Sequence, residues 1–186
     1  MSIYNLTLEP ETPFYRKYND APYMDEFENY ELYCQAREWM KKVDIDRYEI
    51  SNYAKPGYEC QHNLKYWSGQ SYLGFGLGAS SVVDNAQWKK TDDLYEYLRM
   101  PHVRKDLKWL DKSERMENYI IFGLRKVKGI SFKEFHNIFG IDLNVMFDKQ
   151  INKYYNERLM ITDGRRLYLT EKGCDVSNVI LQDFLM

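Results

Sequence analysis

His62 is the side chain in this sequence best suited to hold a metal, and its neighbours are aromatic. It opens His62-Asn63-Leu64-Lys65-Tyr66-Trp67, inside the stretch RYEISNYAKPGYECQHNLKYWSGQSYLGFGLGAS that covers residues 47–80. Imidazole is a common axial ligand of haem iron, and aromatic rings pack on a porphyrin face. Asn63 is suited to orienting the imidazole or fixing the local backbone. Tyr66 and Trp67 are suited to ring packing, against a porphyrin or against the protein itself. The reading places this segment on a long loop, after a strand-like run Arg47–Ser51 and before the glycine-rich run Gly74–Ala79.

Other residues offer weaker chemistry. Cys34, Cys60 and Cys174 are far apart and form no CxxC or CxxxCxxC. They read as reduced or structural thiols, so a zinc ribbon or iron–sulfur cluster from this chain alone is excluded. Cys60 stands two residues before His62, a spacing that can also ligate metal. The triplet Gly74-x-Gly76-x-Gly78 is a poor dinucleotide fingerprint, because a strand-like hairpin and no helix is expected after it. Such glycines more often mark a close backbone approach. Tyr48, Glu49, Ser51 and Asn52 alternate at a strand end, where α/β folds gather active-site groups. Glu49 reads equally well as a buried structural carboxylate. Lys55-Pro56-Gly57 reads as a turn.

Several matches together carry a family resemblance. YEISNYAKPG, HNLKYW and YLGFGLGA, with SIYNLTLEPETPFYR near the start and LTEKGCDVSN near the end, occur in order along residues 2–178. The chain resembles the radical-SAM family of oxygen-independent coproporphyrinogen III oxidases and their relatives, the HemW-type haem chaperones. The resemblance implies a C-terminal half, since the family's CxxxCxxC motif lies in an N-terminal half that this sequence lacks. It implies haem or porphyrin as the ligand, with His62 as metal ligand and Asn63, Tyr66 and Trp67 as further contacts. True oxidases differ at the histidine, which favours the chaperone branch. S-adenosylmethionine and a [4Fe-4S] cluster are implied for the intact family protein, so radical chemistry is not expected of this chain alone. The glycine run is implied to sit near the S-adenosylmethionine end of the intact barrel. An inactive accessory remnant is the alternative reading.

The elements that must position these residues are legible from periodicity. Ile3–Leu8 reads as a strand ended by Pro10 and Pro13. Asp25 opens a helix to about Val43, with Leu32, Ala36, Trp39, Met40 and Val43 on its inward face. Asp46–Ser51 reads as a second strand. Strand, helix and strand suggest a βαβ unit that needs a larger sheet. The expected fold class is therefore α/β: the remnant of an incomplete (β/α) barrel over residues 1–100, then a small winged-helix-like domain over 106–186. The open Ile3–Leu8 edge is expected to pair with the N-terminal half or to drive self-association.

Further along, Ser80–Val83 and Ala86–Lys90 form a hairpin turning at Asp84-Asn85, Thr91 caps a short helix, and Pro101 breaks the chain. Met116, Ile120, Gly123 and Val127 share a helix face that Gly129 ends. Ser131 and Glu134 suit a capping box. Leu143, Phe147, Ile151 and Tyr154 line a third helix. Leu159–Leu169 turns at Asp163-Gly164, and Thr170 caps a closing helix holding Val176, Ile180 and Phe184.

The winged-helix pattern raises nucleic acid as a partner, and charge argues against it. The segment 143–158 carries Asp148 and Glu157 against Lys149, Lys153 and Arg158, and the formal net charge of the chain is −2. That is too little for a phosphate-binding face. No apolar run approaches the ~20 residues of a membrane span. The N-terminus has no secretory pattern, so a cytoplasmic location is expected.

Overall fold

The computed structural model describes residues 1–4, 8–19 and 24–186. They form two compact units, Met1–Cys60 and Gln61–Met186.

In the first unit, α1 (Pro13–Tyr18) starts where Thr12 accepts a hydrogen bond from the Tyr15 amide, with Pro13 in the first turn. Helix α2 (Glu26–Lys41) begins at Asp25, whose carboxylate accepts from the Glu28 amide at 2.7 Å. Strands β1 (Asp46–Glu49) and β2 (Asn52–Ala54) pair antiparallel as a tight hairpin. The expected strand Asp46–Ser51 therefore stops at Glu49 and reverses. The expected strand Ile3–Leu8 falls partly outside the described residues. Its start lies beside β2: Ser2 bridges Asn52, and the Tyr53 amide donates to the Met1 carbonyl at 2.8 Å.

The inward face of α2 differs from the expected one. Trp39 is 72% exposed, and Leu32 and Val43 are exposed as well. Of the expected face Met40 is buried, and Arg37, not expected there, is buried with it. The cause lies across the hairpin. Arg47 donates to the Tyr53 hydroxyl and to the Tyr33 hydroxyl, and the two hydroxyls are 3.2 Å apart. Polar groups in a small core must be partnered, so α2 turns Tyr33 toward β1–β2 and leaves Trp39 outside.

The second unit opens with α3 (Gln61–Trp67). Strands β3 (Ser80–Val83) and β4 (Ala86–Lys89) follow, then α4 (Leu94–Arg99) and β5 (Lys105–Trp109). The hairpin has the expected register, Ser80 opposite Lys89 and Val83 opposite Ala86. Asp84 and Asn85 both have positive φ, 49° and 70°, as the right-handed twist of a two-residue hairpin demands. Strand β5, not expected from its charged sequence, completes the order β3-β4-β5. The cap of α4 is Asp93 and not Thr91; the Thr91 hydroxyl instead donates to Glu96 at 2.6 Å and accepts from the Asp93 amide.

The remaining elements enclose the main core. They are α5 (Lys112–Arg125), β6 (Ile130–Ser131), α6 (Phe132–Phe139), α7 (Leu143–Met146), α8 (Asp148–Asn156), β7 (Met160–Thr162), β8 (Arg166–Leu169), α9 (Glu171–Asp175) and α10 (Ser177–Gln182). The sheet order is β6-β8-β7, antiparallel throughout. Ile120, Phe135, Met160, Leu167, Ile180 and Phe184 are wholly buried at its centre. Gly123 lets α5 approach β6, since a Cβ there would stand 2.0 Å from Ile130 Cγ2.

Local signals placed most of these boundaries. Ser131 caps α6 as expected, but the reciprocal capping box is at Asp111 and Glu114. Helix α5 ends at Arg125, so Val127 is outside it, and Gly129 serves the following turn with φ +58°. Two expected single helices are broken, at Phe147 and at Val176. Backbone geometry breaks them: both residues lie away from the helical well, with φ near −118° and −113°.

Candidate functional site

Residues 61–67 form helix α3, not the expected loop. Gln61, Leu64 and Lys65 are good helix formers. The helix stops as Gly69 takes φ +64° and its amide donates to the Tyr66 carbonyl at 2.9 Å. Helical spacing gathers all four candidate residues. His62 and Tyr66 are four apart, as are Asn63 and Trp67, so together they occupy an arc of about 140°.

The two pairs do different work. On one, His62 is exposed and Tyr66 is half-buried. Their rings meet edge to face at 4.8 Å, and Tyr66 meets Tyr72 in the same way at 4.4 Å. Burial, then the neighbouring Tyr66, raises the Tyr72 hydroxyl above its ordinary pKa, so that ring stays a neutral packing partner. On the other pair, Trp67 anchors the helix. Its ring lies 6.1 Å from Phe122 on α5, and the Arg125 guanidinium covers it at 4.6 Å. Asn63 is half-buried beside it. An exposed imidazole is thus held at the start of a short helix that an indole pins to the core.

Such an arrangement can offer one nitrogen to a metal already held by a macrocycle. Among the described residues no group of three His, Cys, Asp or Glu side chains could hold a bare metal ion. A haem supplies four ligands of its own and needs only an axial one, so the donor set fits haem.

The other candidates take structural roles. Gly74 is a close approach, since a Cβ would lie 2.1 Å from the Ser80 carbonyl oxygen. Gly76 and Gly78 have φ of +108° and +67°, and β3 follows them. Nothing in this geometry cradles a phosphate. Glu49 is buried and accepts a hydrogen bond from the Asn52 amide, whose oxygen accepts from the Ser2 hydroxyl at 2.5 Å. Arg166, at the start of β8, donates to the carbonyls of Lys128 and Gly129, at 2.7 and 3.2 Å. Sequence reasoning missed the Trp67–Arg125 stack and the Tyr66–Tyr72 contact, because neither partner is fixed by spacing on α3.

Comparison with known proteins agrees with this architecture. Residues 110–176 match the family model described as the HemN C-terminal domain. Heme chaperone HemW of Lactococcus lactis is 28% identical over the whole of this chain and half of its own length. HemW of Bacillus subtilis is 31% identical over 99% of this chain, again half of its own length. HemW of Escherichia coli is 40% identical over a shorter stretch of 83 residues. Among solved structures, coproporphyrinogen III oxidase (HemN) of Escherichia coli, a radical SAM enzyme, superposes with a TM-score of 0.73. That match covers 93% of this chain and 44% of the oxidase, at 14% identity, so it speaks for the fold.

These matches define a mixed α/β chain of the HemN-like class. Residues 110–176 carry the match to the HemN C-terminal domain, and the chain as a whole is similar to HemW-type heme chaperones. It spans about half the length of the curated relatives it matches. No helix among the described residues is long and apolar enough to cross a membrane.

Proposed function

We propose that this chain is the haem-contacting C-terminal part of a HemW-type haem chaperone. In this reading residues 1–100 complete a radical-SAM barrel and residues 106–186 form a winged-helix-like accessory domain. The observation that carries it is the exposed His62 imidazole, edge-on to Tyr66 at 4.8 Å, on a helix pinned by Trp67. His62 would hold the haem iron through its imidazole, Tyr66 and Trp67 would supply ring packing, and Asn63 would support the helix beside Trp67. Bound haem supplies the iron. The S-adenosylmethionine and [4Fe-4S] chemistry of the family is assigned to the other half, since Cys34, Cys60 and Cys174 are dispersed in this one.

The test is a haem titration of the chain and three variants. His62→Ala is expected to shift the Soret maximum and weaken binding more than tenfold, the loss of ~2–4 kcal/mol typical of a dominant contact. His102→Ala and His136→Ala are expected to change little. His136 is already engaged, with Nδ1 2.8 Å from Asp142, and His102 lies outside the aromatic array. Equal binding by His62→Ala and the parent chain removes His62 and makes the exposed Cys60 the next ligand to test. No binding by any of them leaves α3 a purely structural element.

A further inference from the structure

The residues that meet the C-terminal end of α3 are cationic. Arg125 lies over the Trp67 ring, and the next residue, Lys126, donates from Nζ to the Ser68 hydroxyl at 3.2 Å. Ser68 directly follows α3. Burial, and then the charge of Arg166, hold the Lys126 ammonium below its ordinary pKa, so Arg166 stands near enough to repel it. Arg166 is fixed there by the carbonyls of Lys128 and Gly129. Glu134 opposes them, and its carboxylate also accepts from the Tyr119 hydroxyl at 3.3 Å. Three cations against one carboxylate leave an excess of two positive charges. A second observation falls at the same place. Trp67 Nε1 and Arg125 Nε are buried and donate to no acceptor among the described residues. Gathering like charges and leaving donors unmet are both costly, and an anion placed among the three cations relieves the first directly.

We propose that Arg125, Lys126 and Arg166 form a carboxylate site at the end of α3 that takes the propionate side chains of the porphyrin. The proposal rests on the reading of α3 as a haem-contact helix and adds how the ligand is oriented. His62 and Trp67 stand five residues apart near the two ends of α3, about 8 Å along the helix axis, and Ser68 follows. One short helix thus separates a metal contact from a carboxylate contact, as the centre of a macrocycle is separated from its acidic edge. The site would select porphyrins that carry free carboxylates and set which edge faces the core.

Haem and haem dimethyl ester, which keeps the iron and masks both carboxylates, distinguish the two contacts. The chain is expected to bind haem at least tenfold more tightly than the diester. Lys126→Gln is expected to lose most of that preference with an unchanged Soret maximum, and Lys126→Arg to keep it. His62→Ala is expected to shift the Soret maximum and keep the preference. Equal affinity of the parent chain for haem and diester overturns the carboxylate site and leaves His62 standing. Failure of the parent chain to bind haem overturns the haem-contact reading, and this site with it. A Lys126→Gln variant that melts early and loses both ligands equally marks a structural lysine and also overturns the proposal.

Discussion

Replacing Trp67 separates anchoring from ligand contact. Its ring is half-buried, packed on Phe122 and covered by Arg125 at 4.6 Å. Truncating a fully buried Trp to Ala costs about 3–5 kcal/mol, so half-burial brings the packing loss to about 2. Losing the guanidinium contact adds about 0.5–1 kcal/mol. Trp67→Ala should therefore destabilise the fold by about 2–3 kcal/mol. Trp67→Phe is the sharper variant. It gives up part of the ring, but it also removes Nε1, a buried donor with no acceptor among the described residues. Such a donor costs about 1–3 kcal/mol, so the two changes offset and the net should stay within about 1 kcal/mol of the parent. His62→Ala, at an exposed position, should stay within about 0.5 kcal/mol. Urea unfolding followed by far-UV circular dichroism gives all three midpoints. A Trp67→Phe variant as unstable as Trp67→Ala would refute the reasoning, because the indole N–H would then be making a bond worth keeping.

Three further outcomes are expected. Gly129→Ala should lower the melting temperature sharply, by about 2 kcal/mol or more of stability, since φ is +58° and the new Cβ would stand 2.1 Å from the Leu167 carbonyl oxygen. Tyr119 has its pKa pushed up to about 12, chiefly by burial and then by Glu134. Its neutral form favours the fold, so that contribution is whole below the ordinary tyrosine value near 10 and is lost as pH rises toward 12; Tyr72 and Tyr154 are raised as well, so Tyr119→Phe should remove one group from the late-titrating part of the tyrosinate absorbance curve. Asp183 is held below its usual range by hydrogen bonds from Lys153 and then Tyr154. Its contribution is present above the ordinary aspartate value and lost as pH falls through the lowered one, so Asp183→Asn should flatten the acid limb of the stability–pH curve.

Signals that act within one element were legible in the sequence. The Asp84-Asn85 and Asp163-Gly164 turns, the Ser131 and Thr170 caps, and the buried series Met116, Ile120 and Ile180 all follow from backbone preference or helical period. Capping satisfies amides a few residues away, and a two-residue hairpin admits few residue types, so both are local chemistry. The resemblance carried by HNLKYW and its neighbouring motifs was legible for the same reason, as an order of residues along the chain.

Tertiary structure decided what depends on a neighbour. Periodicity on α2 identified residues that share a face but not which face turns inward. The hydroxyls of Tyr33 and Tyr53 and the guanidinium of Arg47 decided that, and they left Trp39 outside. Strand β5 exists because β4 offers it an edge, despite its charged residues. The candidate site divides in the same way. The types His62, Asn63, Tyr66 and Trp67 were visible in the sequence, whereas their gathering on one helix, the stack of Arg125 on Trp67 and the approach of Lys126 to Ser68 were not. Residues 67 and 125 are brought together only when α3 docks on α5, and no local rule reaches across that separation.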